Sequence, residues 1–143
     1  MYKLGQSLFV YGTLRDEDVR HAVLRGHQPM AIVDATIVDH VTVYFPMRAY
    51  PALVRKTGAH APGVILFGLR AQDMLALDDF EGEEYRRTRV TVETAIASQH
   101  VWVYRPRRWI APAAPRWSIE HWRRHHKQTE LKREQALVAR LRR

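Results

Sequence analysis

The chain has 143 residues, an apolar fraction of 46%, no cysteine and a formal net charge of +8. This length suits one domain, and the apolar content is enough for a buried core and too high for a disordered chain. Without cysteine there is no disulfide scaffold, thiolate nucleophile or cysteine-ligated metal site. No stretch approaches the ~20 apolar residues of a membrane span, and the first residues lack the apolar run of a signal peptide. We therefore expect a soluble, cytoplasmic protein that does not bind membranes.

The first half of the chain alternates short apolar runs with turn residues. Residues 8–11 (LFVY) form an apolar run that ends at Gly12, as a buried strand entering a turn does. Helical spacing of apolar side chains before Gly26 predicts a helix over residues 17–25. Residues 58–62, which contain a glycine and a proline, are predicted to break the chain. Four further strands are predicted, over residues 31–38, 41–45, 52–55 and 63–69.

The second half begins with a predicted helix over residues 71–80, which Gly82 stops. Alternation of apolar and polar side chains over residues 85–97 predicts a half-buried strand, and a turn leads to another strand at 100–104. Many short strands with two short helices between them indicate an α+β protein. Its centre is a compact mixed sheet or a small β-barrel, and a C-terminal helix extends it.

The C-terminal quarter differs in composition from the rest. We divide the chain into a domain of residues 1–105, a proline-containing arm of residues 106–117 and a basic helix of residues 118–143 that Ser118 caps. Residues 116–143 carry a charge of +6, so the basic character belongs to this end. A solvated helical face is the simplest explanation, and nucleic acid is not expected as a partner. His121 and His125 have the spacing of a metal pair, but no nearby acid completes a ligand set, so no metal is expected.

An acidic segment follows the second predicted helix. Residues 78–84 contain five carboxylates in seven positions of an otherwise basic chain. Acids at the C-terminal end of a helix oppose its dipole, and such an exception to a local rule often marks a site. A solvated acidic loop would explain the same residues, whereas the spaced pattern of a calcium loop is absent.

Helical spacing separates Glu81 from its acidic neighbours. Met74, Leu77 and Glu81 lie at i, i+3 and i+7, so Glu81 continues the apolar stripe, while Asp79 and Glu83 should point away from it. A carboxyl group facing the interior loses hydration, its pKa rises, and it becomes able to accept a proton near neutral pH. Glu81 is therefore either a catalytic base or a core carboxylate held by hydrogen bonds.

The residues for nucleophilic catalysis by the protein are missing. None of the three serines lies in a G-x-S-x-G motif, and the chain has no H-E-x-x-H, Walker A or G-x-G-x-x-G sequence. An enzyme with this sequence would take its nucleophile from the substrate or from water. The turn after the first strand could let backbone amides approach an anion or a carbonyl oxygen, although a glycine after a strand is also ordinary turn chemistry.

Five segments, in this order, resemble the gamma-glutamylcyclotransferase-like family over roughly residues 7–105. The specific feature is the ordered set, above all YGTL followed by LDxxEGxxYxR. The segments are LFVYGTLR (8–15), YPALV (50–54), GVILFGL (63–69), LDDFEGEEYRR (77–87) and VWVY (101–104).

The resemblance implies a mixed α/β fold around a β-barrel and an acyl-transfer enzyme without cofactor. Such an enzyme cyclises a small gamma-glutamyl substrate to 5-oxoproline and releases an amine or an amino acid. The family's catalytic glutamate falls on Glu81, a general acid and base in this reaction. The resemblance also implies a substrate-binding set: Tyr11, Gly12, Thr13, Leu14, Tyr85 and Tyr104.

Several points stay open on the sequence. Arg15 or Arg87 could add charge to the site or be surface residues, and the departing group could be recognised by residues 41–50 and 105–115. Gamma-glutamyl amino acids, gamma-glutamylamines and gamma-glutamylated biosynthetic intermediates all fit. The alternative to an enzyme is a non-catalytic module that binds a small ligand in the same pocket, or nucleic acid or an acidic partner through the basic helix.

Overall fold

The computed structural model describes residues 5–141, so positions 142 and 143 of the predicted C-terminal helix lie outside the described residues. Five strands form a closed barrel in the order β1-β3-β2-β4-β5, and the parallel pairing of β1 with β5 closes it. The strands are β1 (Gln6–Val10), β2 (Ala31–Tyr44), β3 (Pro51–Leu69), β4 (Tyr85–Glu93) and β5 (Ser98–Pro106). The helices are α1 (Glu17–Val23), α2 (Ala71–Glu81), α3 (Ile119–His125) and α4 (Lys127–Leu141). The predicted α+β barrel is confirmed.

Strands β2 and β3 form one long hairpin, where the sequence predicted four shorter strands. The register is interrupted between Val38 and His40, and Asp39 between them has a φ of 57°. The amide of Gly58 donates to Asp39 Oδ1 at 2.9 Å, which ties the two irregular segments together. The predicted chain break at 58–62 is therefore wrong, because a β-bulge absorbs the irregularity and pairing continues on both sides of it.

The core has two parts, and successive side chains of β1 belong alternately to one part and to the other. Phe9 and Tyr11 belong to a cluster that draws on all five strands and fills the barrel. Leu8 and Val10 belong to a second cluster, in which α1, α2 and α3 pack on the outside of the barrel. Trp122 of α3 is fully buried in this outer cluster, as expected for an anchor of the C-terminal segment.

The C-terminal segment docks on the barrel and forms two helices, not the predicted single helix. The amide of Trp117 donates to the Thr42 carbonyl, so the arm follows β2, and Ser118 caps α3 by accepting from the His121 amide at 3.1 Å. The helix breaks at His126, whose φ of −128° is not helical. Within residues 5–141, none of the helices is both long and apolar enough to cross a membrane.

Candidate active site

A cavity of about 520 Å³ lies between the barrel and α4. Its walls come from the end of β1 and the turn after it, the end of α2, the 47–51 turn and one face of α4. The residues that the sequence put forward for catalysis and substrate binding all line it: Glu81, Tyr11, Gly12, Thr13, Leu14, Tyr85 and Tyr104. The cavity thus brings together the acidic side chain, the glycine turn and the three tyrosines that the sequence put forward.

Glu81 is the last residue of α2 and lies in the cavity wall. Gly82 ends the helix with a φ of 69°, a conformation that favours glycine, while the neighbouring acids Asp79 and Glu83 are exposed. Burial, and then the nearby charge of Asp78, raises the pKa of Glu81 to about 8. The carboxyl group has no hydrogen bond or ion pair to another residue of the described chain. It is therefore available to exchange a proton with a molecule in the cavity.

Asp78 is one helical turn before Glu81 and is held by two donors, Arg87 outside the cavity and Tyr104 in its wall. Arg87 donates to both of its carboxylate oxygens, at 2.7 and 3.1 Å, and the Tyr104 hydroxyl donates to Oδ1 at 2.7 Å. Arg87 therefore binds Asp78 and does not line the cavity. Arg15, the other cation that the sequence put forward, does not line the cavity either. The charge of Asp78 thus remains next to Glu81, and neither Arg87 nor Arg15 enters the cavity.

The glycine turn packs closely against β3. A Cβ atom on Gly12 would lie 2.7 Å from Cγ of Pro51, so a larger residue would push the turn away from the strand. A short 3-10 helix, Thr13–Arg15, follows and begins with hydrogen bonds from the amides of Arg15 and Asp16. These bonds do not use the amides of Gly12, Thr13 and Leu14, three residues that line the cavity, so their N–H groups are candidate donors to an anion or a carbonyl oxygen.

The three tyrosines that the sequence put forward present their rings to the cavity and use their hydroxyl groups to join elements. Tyr11 donates to the Tyr104 carbonyl, Tyr85 to the Pro51 carbonyl, and Tyr104 to Asp78. Burial is the main cause that raises the pKa of each well above the ordinary range, so all three stay neutral. They shape the cavity, and they give a substrate aromatic surface more than free donors.

In two parts of the cavity wall, the sequence put forward no individual residue. Of the two segments expected to meet a departing group, residues 47–50 line the cavity and residues 105–115 do not. The larger addition is one face of α4, with His126 just before it. This face consists of Thr129, Glu130, Arg133, Glu134 and Leu137. The residues of this face have helical spacing in the sequence. Because the face is mostly polar, it forms no apolar stripe that would predict its burial against the cavity.

His121 and His125, the histidines with the spacing of a metal pair, do not line the cavity. The rings of His121 and His125 are 4.3 Å apart on an exposed face. Within the described part of the chain, no group of three or more histidines and acids is placed to hold a metal ion.

The closed five-stranded barrel, with a carboxyl group and a glycine turn on one cavity, places the chain among small barrel proteins with a carboxyl-containing pocket. The chain belongs to the gamma-glutamyl cyclotransferase, AIG2-like family, whose family model matches residues 8–124. The match extends beyond residue 105 and includes the arm and most of α3.

Individual relatives agree with this assignment. AIG2-like protein A of Arabidopsis thaliana is 31% identical over 125 residues, which cover 85% of this chain and 74% of that protein. A solution structure of an Arabidopsis thaliana protein matches 96% of this chain and 93% of its own, with 26% identity and a TM-score of 0.69. A solved gamma-glutamyl cyclotransferase matches 73% of this chain and 68% of its own with a TM-score of 0.62, and its 14% identity supports the fold alone.

Proposed function

We propose that this protein is a cyclotransferase that converts a small gamma-glutamyl compound into 5-oxoproline and a free amine or amino acid. The observation that carries the proposal is the Glu81 carboxyl group, which has a raised pKa and lies unbonded on the wall of the cavity that the glycine turn also lines. Family membership supports the same reaction class. The cytoplasmic location and the division of the chain at residues 105 and 117 remain predictions.

The reaction needs one proton carrier and no protein nucleophile. Glu81, as a carboxylate, takes a proton from the α-ammonium group of the substrate. The freed α-nitrogen attacks the substrate's own γ-carbonyl carbon and closes a five-membered ring. The bond between that carbon and the departing nitrogen then breaks as the carboxyl proton of Glu81 passes to that nitrogen. Glu81, again a carboxylate, moves the second proton of the ring nitrogen to the departing amine, which leaves as an ammonium. The products hold every atom of the substrate, and no oxidant, reductant or water is consumed.

The glycine turn would hold the substrate in the conformation that cyclises. Amides of Gly12, Thr13 and Leu14 are donors that suit a substrate carboxylate or the oxyanion that develops on the γ-carbonyl. Fixing both ends of a flexible gamma-glutamyl group brings its amine close to its carbonyl, which lowers the entropic part of the barrier. Tyr11, Tyr85 and Tyr104 would enclose the group with aromatic surface.

The test is the release of 5-oxoproline from a panel of gamma-glutamyl amino acids and gamma-glutamylamines. We expect Glu81→Gln to lower kcat by ~10²–10⁴-fold, which is typical of losing a positioned general base. The matched control is Glu83→Gln, which makes the same chemical change at an exposed position two residues away and should leave kcat unchanged. Equal activity of Glu81→Gln and the unmodified protein would remove Glu81 from the mechanism. Absence of 5-oxoproline from every compound would favour the non-catalytic binding module.

A further inference from the structure

The cavity has a second polar end, which belongs to α4. Helix α4 is held in place at its first residue, because Lys127 Nζ lies 3.0 Å from Asp16 Oδ2 and 2.7 Å from Asp18 Oδ2. Because Asp16 directly follows the 3-10 helix of the glycine turn, the position of α4 is tied to that turn. The wall formed by α4 is therefore placed relative to the turn by two ion pairs.

The charged residues of this wall are not equivalent. Glu130 accepts from the Trp122 indole at 2.8 Å, and burial raises the pKa of Glu134. Arg48, on the opposite wall, donates to Glu84 at 3.2 Å and to Tyr50. Among the described residues that line the cavity, Arg133 is the cation without a hydrogen bond or ion pair.

Resting on the proposed cyclotransferase function, we infer that Arg133 binds a carboxylate on the departing part of the substrate. If the gamma-glutamyl head lies against Glu81 and the glycine turn, the departing group extends from the γ-carbonyl toward the rest of the wall, which includes α4. A guanidinium group binds a carboxylate through two parallel hydrogen bonds. Arg133 therefore selects gamma-glutamyl amino acids over gamma-glutamylamines that lack a carboxylate.

Gamma-glutamylalanine and gamma-glutamylethylamine form a matched pair of substrates, because they differ only in the carboxylate of the departing group. We expect the unmodified protein to prefer gamma-glutamylalanine in kcat/KM. Arg133→Met should raise KM for that compound about tenfold, leave its kcat nearly unchanged and leave gamma-glutamylethylamine unaffected. Arg133→Lys should restore part of the loss. Lys132→Met removes a neighbouring exposed cation outside the cavity and should change neither substrate.

Binding separates failure of this inference from failure of the proposed function. The affinity of both compounds is measured by calorimetry in Glu81→Gln and in Glu81→Gln combined with Arg133→Met. Tighter binding of gamma-glutamylalanine that is lost with Arg133 supports the inference, even where no compound is turned over. Equal affinity for the two compounds, or a preference that survives the loss of Arg133, overturns it and leaves the role of Glu81 intact.

Discussion

Replacing Glu81 by glutamine tests the site without any substrate. In the folded protein, burial and then the charge of Asp78 raise the pKa of Glu81 from 4.5 to about 8. Between these two values the folded protein holds a proton that the unfolded chain has released, so the free energy of unfolding falls as the pH rises through this window. Glutamine cannot ionise, and the variant lacks this fall.

The size of the effect follows from the change in pKa. Each pKa unit corresponds to about 1.36 kcal/mol, so a rise from 4.5 to about 8 gives an upper bound of about 5 kcal/mol once Glu81 is ionised. The side chain keeps partial contact with solvent through the cavity. Because partial exposure raises the effective dielectric constant, we expect a loss of about 2–4 kcal/mol in the free energy of unfolding.

The assay is urea unfolding of the two proteins at about pH 5 and about pH 9. On going from the lower to the higher pH, the free energy of unfolding of Glu81→Gln should increase by about 2–4 kcal/mol relative to that of the unmodified protein. Glu83→Gln, at an exposed position, should show no such pH dependence. A difference between Glu81→Gln and the unmodified protein that stays constant across this range would mean that Glu81 titrates as it does in water, and the argument for a base would be lost.

Three further predictions concern the same site. For a cyclising substrate, kcat/KM should rise with pH up to about 8, where Glu81 becomes ionised, and a limb near its ordinary pKa of 4.5 would contradict this. Gly12→Ala places a Cβ atom 2.7 Å from Cγ of Pro51. It should lower the free energy of unfolding by ~1–3 kcal/mol in urea unfolding and also reduce kcat/KM. An unchanged kcat/KM would mean that the turn does not touch the substrate. Lys127→Met removes the ion pair with Asp16 at 3.0 Å. In the same assay it should raise KM and change kcat less. An unchanged KM would mean that α4 takes no part in substrate binding.

The barrel and the inner position of Glu81 could be predicted because both depend on local periodicity. Apolar runs of period two mark strands, and the i, i+3, i+7 spacing of Met74, Leu77 and Glu81 places all three on one face of a helix. Met74 and Leu77 are buried, and Glu81 lies next to them in the cavity wall. The continuity of β3 could not be predicted, because the bulge at Asp39 depends on the opposite strand.

The role of α4 depends on tertiary contacts that leave no periodic pattern. Its approach to the cavity relies on Lys127, which pairs with Asp16 and with Asp18, and Asp18 is 109 residues from Lys127 in the chain. An ion pair between such distant positions is invisible in a single sequence. The pairing of Arg87 with Asp78, which are only 9 residues apart, takes Arg87 out of the candidate site and was hidden because it depends on how β4 packs against α2.

The placement of cations explains how a chain with a net charge of +8 keeps one carboxyl group with a high pKa. A cation paired with Glu81 would lower its pKa and make it a weaker base. Arg87 binds Asp78 instead, and Arg48 binds Glu84, so both are neutralised by acids next to the cavity. Two other carboxylates of the acidic segment, Asp78 and Glu84, thus bind nearby arginines, and in the proposed reaction the basic group that Glu81 meets is the α-amine of the substrate.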